Sequence, residues 1–143
     1  MSNRLTLVPN LHELLARHCD PVMRDVAEVA SDFLKEKLAG PGSGIQHPGL
    51  PNPSSLPGEY PAEQSGDLLA CIGLERVAPS EYDVGALNSV APVPLEAWAL
   101  EFPPPPDSPV DRLTAHGARP WISKAAGDEE LHDRLRATVQ QAR

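Results

Sequence analysis

Turn-forming residues dominate the stretch from Gly40 to Gly66, which limits the fold of this 143-residue chain more than any other feature. Each proline fixes its own φ angle and restricts the residue before it, so a helix or a central strand cannot run through such a segment. We therefore predict a long, partly stiff loop over residues 40–66 that lies on the surface or against another subunit. Long loops in compact domains are usually functional, which favours interaction over self-contained chemistry.

A second proline-rich loop is predicted for residues 103–118, which begin with four successive prolines. Such a run holds an extended geometry, so we expect this loop to project from the surface and to be stiff at its beginning. The 17 prolines and 10 glycines leave material for a modest core only. We therefore predict a single domain over residues 1–143, a usual domain length.

The first third of the chain has apolar residues at helical spacing, and this pattern stops at Gly40-Pro41. Asn10 precedes Glu13 by three residues, which is the spacing of a capping box, so we expect a helix to begin there. Pro21 then indicates either two helices or one long helix with a kink.

A small antiparallel sheet is predicted after the first loop. The stretch from Leu68 to Val77 has a mixed apolar pattern that fits a strand better than a helix, and Tyr82 to Leu87 is a plausible partner strand. Residues 78–81 between them suit a turn.

A short central helix is indicated by Leu95, Trp98, Ala99 and Phe102, which follow Pro94 at i, i+3, i+4 and i+7. This spacing places the four side chains on one face, so we expect that face to enter the core. Core packing is favoured over a stacking platform for Trp98.

Helical structure is also predicted near the C-terminus, with a break at Gly127-Asp128 and with Trp121 in the core. Residues 128–130 are acidic and suit the first turn of a helix. The fold class is therefore α+β: a long N-terminal helix with or without a kink, a small antiparallel sheet, a short central helix and a C-terminal helix, joined by two long proline-rich loops.

The formal charge of −8 argues against general nucleic-acid binding, because affinity for phosphates comes mainly from clustered lysine and arginine, and no such run occurs. Cys19 and Cys71 are far apart and lack C-x-x-C spacing, so we predict that both are small buried hydrophobes in a reducing cytoplasm. No apolar run approaches the ~20 residues that span a bilayer, so we expect no membrane partner.

Chemistry-bearing motifs are weak throughout the chain. His12 and His18 are six residues apart and so point to different helix faces, which excludes a zincin pair. Residues 40–44 lack the Gly-Lys-Ser/Thr that completes a phosphate loop, so we predict a flexible hinge there. We therefore predict no catalytic, cofactor-binding or metal-binding residues and no enzymatic activity. The least poor alternative is a small hydrolase that uses Asp111 and His116.

Three segments in order carry a likeness to a known family: residues 54–68 with Ile72, then Leu95 to Phe102, then residues 118–126 with Ala-Arg-Pro-Trp at their start. They resemble the gene-product-ten-like tail-component family of lambdoid and related siphophages, described as head–tail joining or tail-completion proteins. Its members show a long first helix, a stretch P-G-x-x-P-A-x-x-S/T-G-x-L-x-x-S-I, a segment ending E-F-G, and A-R-P-F/W before a C-terminal helix. This chain differs at Pro103, where the family has glycine, and at Cys71, where serine is common.

The resemblance implies a structural virion protein of a tailed bacteriophage, assembled in the bacterial host cytoplasm and located in the neck or head-proximal tail. It implies a homo-oligomeric ring, most simply a hexamer, that joins a head connector or stopper protein to a tail terminator or tail tube protein around the DNA channel. DNA would pass without specific binding, and no cofactor is implied. A tail terminator is the alternative within the same class. We expect the assembly interface in the two loops, at Pro48, Leu50, Pro51, Pro53, Leu56, Pro57, Glu59, Tyr60, Pro61, Pro103, Pro104, Pro105, Pro106 and Val110.

Overall fold

The computed structural model describes residues 10–102 and 119–142, and this part of the chain combines helices with one small sheet. The predicted α+β class is confirmed, with a long N-terminal helix, a two-stranded antiparallel sheet, and short central and C-terminal helices. In chain order the elements are α1 (Leu11–Leu38), α2 (Asp67–Ala70), β1 (Ile72–Ala78), β2 (Glu81–Ala86), α3 (Leu95–Glu101), α4 (Ile122–Ala126) and α5 (Glu129–Gln141).

Helix α1 runs for 28 residues with Pro21 inside it, so the alternative of two separate helices is wrong. The predicted capping box is also wrong. Asn10 has a left-handed φ of 66°, and its side chain caps no backbone N–H. A cap side chain needs extended backbone at its own position to reach the first-turn N–H groups, and Asn10 lacks it.

Burial along α1 is uneven. The buried residues all lie in its second half, where Phe33, Leu34 and Leu38 enter the core. Cys19 lies in the first half and is exposed, so its predicted burial is wrong, whereas the predicted burial of Cys71 is confirmed. The difference follows from position, because the first half of α1 extends past the main core.

The predicted hairpin is confirmed, with β1 antiparallel to β2 and Ile72 opposite Ala86. The predicted start of the first strand is wrong, because Leu68 and Leu69 lie in the single turn of α2. Gly66 explains this, since its φ of 84° turns the chain into a helical conformation and its carbonyl accepts a hydrogen bond from the Ala70 amide at 2.9 Å.

Trp121 lies in the middle of the core with 1% of its surface exposed, as predicted. Its indole Nε1 donates a hydrogen bond to the Ala97 carbonyl at 3.2 Å. Helix α3 therefore buries its alanines, Ala97 and Ala99, whose small side chains allow the indole to reach the helix backbone.

The prediction that one face of α3 is buried is therefore wrong for the three large residues of that face. Leu95, Trp98 and Phe102 are 59%, 60% and 62% exposed, and only Ala99 of the predicted set is buried. The spacing predicted the helix correctly but not the side that meets the core.

The predicted break before the last helix is confirmed, since α4 and α5 are separated at Gly127-Asp128. Asp128 caps α5 by accepting a hydrogen bond from the Glu130 amide at 3.0 Å. Helix α5 packs on the second half of α1, where Arg134 binds Glu36 at 2.7 Å.

Among the helices of residues 10–102 and 119–142, none combines the length and the apolar composition that crossing a bilayer requires.

Candidate functional site

Residues 40–66, which we call the strap, form a loop whose two arms pair through their backbones. The Gly42 amide donates to the Pro53 carbonyl at 3.0 Å, and the Gly44 amide donates to the Ser54 carbonyl at 2.7 Å. A Cβ atom at Gly42 would overlap the Ser54 backbone, so only glycine allows the arms this close. The glycines of residues 40–44 thus serve a close backbone pairing, where we predicted a hinge.

Glu59 ties the strap together through its carboxylate. The carboxylate accepts hydrogen bonds from the Ser43 hydroxyl, from the Ser43 amide at 3.2 Å and from the Leu56 amide at 2.7 Å. These bonds, the one from the Ser43 hydroxyl first, lower the pKa of Glu59 below its ordinary value. The side chain is therefore ionised at neutral pH and fixes the turn at residues 56–59.

Tyr60 fastens the strap to the body of the protein. Its hydroxyl donates to the Asp128 carboxylate at 2.9 Å, and its ring meets Phe33 edge to face with the ring centroids 6.4 Å apart. Lys124 donates from Nζ to the Gly58 carbonyl at 2.7 Å and lies 5.1 Å from the centre of the Tyr60 ring. Burial, and then the hydrogen bond to Asp128, raise the pKa of Tyr60, so the hydroxyl remains a donor.

The segment after residue 118 lies between the strap and α3. Arg119 is buried and donates from Nε to the Ser55 carbonyl at 2.9 Å, while its amide donates to the Leu100 carbonyl at 3.2 Å. Next to it, the Glu101 carboxylate accepts from the amides of Trp121 at 2.7 Å and Ile122 at 2.9 Å.

The Glu101 carboxylate also accepts from the Ser123 amide at 3.0 Å and so caps the start of α4. Burial opposes the ionisation of Glu101, but the hydrogen bonds from Ser123 and from the Trp121 and Ile122 amides outweigh it and lower the pKa. The charged carboxylate thus holds α3 and α4 together.

The strap, α2 and α3 surround a cavity of about 480 Å³. Its walls are mainly apolar and include Leu50, Leu69 and Leu100, with Gln64 and Arg119 as polar members. The Gln64 Oε1 atom is buried and accepts no hydrogen bond from the described residues. The cavity therefore combines mainly apolar walls with a few polar side chains.

The predicted interface residues differ in exposure. On the strap, Glu59 and Tyr60 are partly buried and bind within the chain, and Pro61 is buried, so these three shape the strap. Pro53 is also partly buried. The surface of the strap is formed by the exposed Pro48, Leu50, Pro51, Leu56 and Pro57.

The other five predicted interface residues lie in the second loop and outside the described residues: Pro103, Pro104, Pro105, Pro106 and Val110. The interface itself stays a prediction. Asp111 and His116, the candidate hydrolase residues, also lie outside the described part of the chain.

An exposed aromatic pair on α3 escaped the sequence analysis. Trp98 and Phe102 stack with their ring centroids 6.2 Å apart and their planes 19° apart, and Leu95 lies on the same side of the helix. We call these three residues the aromatic knob. The signal in the sequence was Ala97, whose small side chain lies away from the predicted face and offers an alternative buried side.

His12 and His18 are exposed on the first half of α1, as the helical spacing predicts. Within residues 10–102 and 119–142, no three His, Cys, Asp or Glu side chains are grouped so that they could hold a metal ion. The described part of the chain presents three surface features: the strap, the cavity and the aromatic knob.

Comparison of the chain with protein-family models, with curated proteins and with solved structures finds no match.

Proposed function

We propose that this protein is a structural joining component of a tailed-phage particle. In this proposal, copies form a ring in the neck or head-proximal tail and bridge a head connector or stopper to a tail terminator or tail tube. The acidic chain, with its net charge of −8, lets DNA pass through the channel without tight binding, because no phosphate-neutralising cluster holds it.

The observation that carries the proposal is the contact between the segments that resemble the tail-component family. Arg119 of the third segment binds Ser55 of the first, and Trp121 of the third binds Ala97 and Glu101 of the second. Here they form one folded unit, which is what a shared architecture requires.

The organisation of the strap also suits an assembly role. Glu59 and Tyr60 fix the strap from within, while Leu56 and Pro57 stay exposed in the turn at residues 56–59, which we call the strap tip. A loop that is ordered before it docks loses less conformational entropy on binding, so a small exposed surface can give a useful affinity. An assembled particle, in which each subunit repeats the contact, multiplies that gain.

The direct test is removal of the gene from the phage that encodes it. We expect filled heads and complete tails that remain separate in electron micrographs, and supply of the protein in trans should restore joined particles. Cryo-electron microscopy of intact particles should then locate the protein at the neck, or at the tail end if it is the terminator. Normal virions in the absence of the gene would refute the proposal.

A point variant tests the strap without disturbing its internal contacts. Leu56→Asp places a charge on the exposed tip, and Leu14→Asp on α1 is the matched control, because the two leucines are 48% and 53% exposed. Both variants should fold normally by circular dichroism. A loss of about 1.4 kcal/mol at the interface lowers joining about tenfold. We expect that loss of infectious particles for Leu56→Asp alone, and equal yields for both variants would exclude the strap tip from the interface.

A further inference from the structure

The start of helix α1 carries an apolar stripe at the surface. Leu11 and Leu15 are 39% and 54% exposed, and Val22 is only partly buried. Successive residues of a helix are about 100° apart around its axis, so these three side chains point within roughly 40° of one another. We call Leu11, Leu15 and Val22 the N-terminal stripe. Neighbouring large apolar side chains at a surface usually mark a contact, so the stripe requires an explanation.

Further along α1, the same side of the helix is covered by α5. Lys37 binds Glu130 at 2.6 Å, Glu36 binds Arg134 at 2.7 Å, and the Arg134 guanidinium lies 5.3 Å from the centre of the Phe33 ring. The mean direction of Phe33, Glu36 and Lys37 around the axis of α1 is within roughly 20° of that of the N-terminal stripe. The stripe therefore continues the surface of α1 on which α5 packs.

Helix α5 ends before it reaches the stripe. Its contacts move toward the start of α1 as α5 proceeds, so the two helices are antiparallel. Both rise by about 1.5 Å per residue, and with Glu130 at Lys37 this places Gln141, the last residue of α5, beside about residue 26 of α1. The hairpin contacts the opposite side of α1, because Asp20, which binds it, points roughly 160° away from the stripe. The first half of α1 is thus packed on one side and exposed on the other.

We propose that residues 1–9 fold back along α1 and cover the N-terminal stripe, so that they continue the layer that α5 begins. These residues include the apolar Leu5, Leu7 and Val8. They join α1 at Asn10, whose φ of 66° is not helical, so the chain before it leaves the axis of α1 instead of extending it. Leu5 and Leu7 are two residues apart, and in an extended chain such a pair points to one side.

The length of the segment matches that of the stripe. Leu11 and Val22 are about 16 Å apart along α1, at a rise of about 1.5 Å per residue. An extended chain advances about 3.3 Å per residue, so about five residues span this distance and the others leave room for the reversal. Counted from the start of α1, Leu7 is then level with Leu15, and Leu5 with Val22, to within about 3 Å. Both leucines of the segment can therefore contact the stripe.

Covalent attachment favours this segment over a second molecule. A contact on so few side chains buries far less than the roughly 1,200 to 2,000 Å² of a stable complex between separate molecules. A separate partner would also lose translational and rotational freedom on binding. A tethered segment avoids most of that loss, because a short tether gives it an effective concentration on the order of millimolar. A small apolar surface is therefore best suited to a segment of its own chain.

Nuclear Overhauser contacts between methyl groups of the full chain test the proposal without any phage particle, so the result is independent of the proposed function. We expect contacts from Leu7 to Leu15 and from Leu5 to Val22. An isotope-filtered experiment on a mixture of labelled and unlabelled chains shows which contacts are between molecules. Contacts within one chain support the proposal, whereas their absence, or contacts found only between chains, overturns it.

Two adjacent leucines of α1 provide a matched pair of variants. Leu15 belongs to the stripe and Leu14 points roughly 80° away from its centre, although the two are 54% and 53% exposed. We expect Leu15→Asp to release the segment, with loss of the contact between Leu5 and Val22, and Leu14→Asp to retain that contact. Circular dichroism checks that both variants fold. Loss of the contact in both variants, or in neither, overturns the proposal.

The reciprocal change is made in the segment itself. Leu5→Asp combined with Leu7→Asp should shift the methyl resonances of Leu15, because the stripe then meets solvent, and should leave those of the buried Leu34 unchanged. Thr6→Asp, between the two leucines, is the control and should shift neither set. A Leu15 resonance at the same position in the wild type and the double variant would show that the segment does not cover the stripe.

Discussion

Helix α1 joins two regions that are held together by different interactions. At the strap end, its second half meets the strap, α3 and residues 119–126, and the contacts are centred on the buried Trp121. At the hairpin end, Asp20 of its first half binds Arg76, Ser80 and Tyr82 through polar contacts, while Ile72, at the other end of the hairpin, belongs to the core. The comparison distinguishes the apolar contacts that stabilise the core from the polar contacts that position the turn at residues 78–81.

The hairpin end depends on one carboxylate. Asp20 accepts hydrogen bonds from the Ser80 amide at 2.7 Å, from Arg76 Nε at 3.0 Å and from the Tyr82 hydroxyl at 3.2 Å. The Ser80 hydroxyl also donates to the Ala16 carbonyl. These groups orient the turn on α1, but they lie near solvent, where such contacts contribute little to stability.

The strap end combines apolar burial with internal polar contacts. Phe33 and Trp121 are fully buried there, and Glu101 satisfies three backbone amides that would otherwise be unpaired at the start of α4. Loss of a packed side chain in such a region leaves a void and exposes its neighbours, so it lowers the stability of the whole fold.

The largest expected effect is that of Trp121→Ala. Removal of this buried indole should lower the free energy of unfolding by about 3 to 5 kcal/mol, as for other aromatic-to-alanine changes in cores. The matched control is Trp98→Ala, which removes an exposed indole and should change stability by no more than about 0.5 kcal/mol. Urea denaturation measures both values. Equal losses for the two tryptophans would contradict the assignment of the core to Trp121.

The next effect is that of Glu101→Gln. The substitution keeps the shape but removes the charge that three amides bind, and hydrogen bonds to charged groups contribute about 1.5 to 3 kcal/mol. We expect a loss of about 1 to 2 kcal/mol, because the amide oxygen of glutamine keeps part of the bonding. Glu96→Gln in the same helix is the control, and an equal loss there would argue against a capping role for Glu101.

A fall in pH should weaken the two regions at different pH values. Glu59 and Glu101 at the strap end have pKa values below the ordinary 4.5, and Asp20 at the hairpin end has a pKa below the ordinary 3.8. A carboxylate with a lowered pKa stabilises the fold fully above its ordinary value, and this stabilisation is lost as the pH falls through the lowered value. The strap end should therefore begin to weaken below about 4.5 and the hairpin contacts only below about 3.8.

Hydrogen exchange measured at decreasing pH, with correction for the intrinsic rates, distinguishes the two regions. We expect protection of the strap amides at Gly42 and Leu56 to decline before that of Ser80. The reverse order would show that the strap is held by packing alone and that the Glu59 carboxylate contributes nothing measurable.

Several elements could be predicted from residues that act on their immediate neighbours in the sequence. The break at Gly127-Asp128 and the turn between β1 and β2 were predicted because glycine, proline and acidic caps act within a few residues. The burial of Trp121 followed from its size. The end of α1 was also predictable, because a pattern that stops at Gly40-Pro41 leaves little choice of position.

Features that depend on distant partners could not be predicted in this way. The choice of Ala97 over Trp98 as a buried residue of α3 depends on where Trp121 arrives, 24 residues further along the chain. The pairing of Gly42 with Pro53 and the cavity behind the strap depend on backbone contacts that leave no periodic signal. The exposure of Cys19 depends on where the core ends along α1, and the spacing of apolar residues in the sequence does not indicate that point.

The smallest expected effect on global stability is that of Asp20→Asn, and it tests the comparison most directly. The substitution weakens the contacts to the Ser80 amide and Arg76, so hydrogen exchange at Ser80 should accelerate while the urea midpoint stays close to that of the wild type. Asp25→Asn is the matched control, since Asp25 is exposed on the same helix and should change neither measurement. A large shift of the urea midpoint in Asp20→Asn would mean that the hairpin and the strap end unfold as one unit. A local effect alone means that the turn at residues 78–81 opens while the strap end keeps its structure.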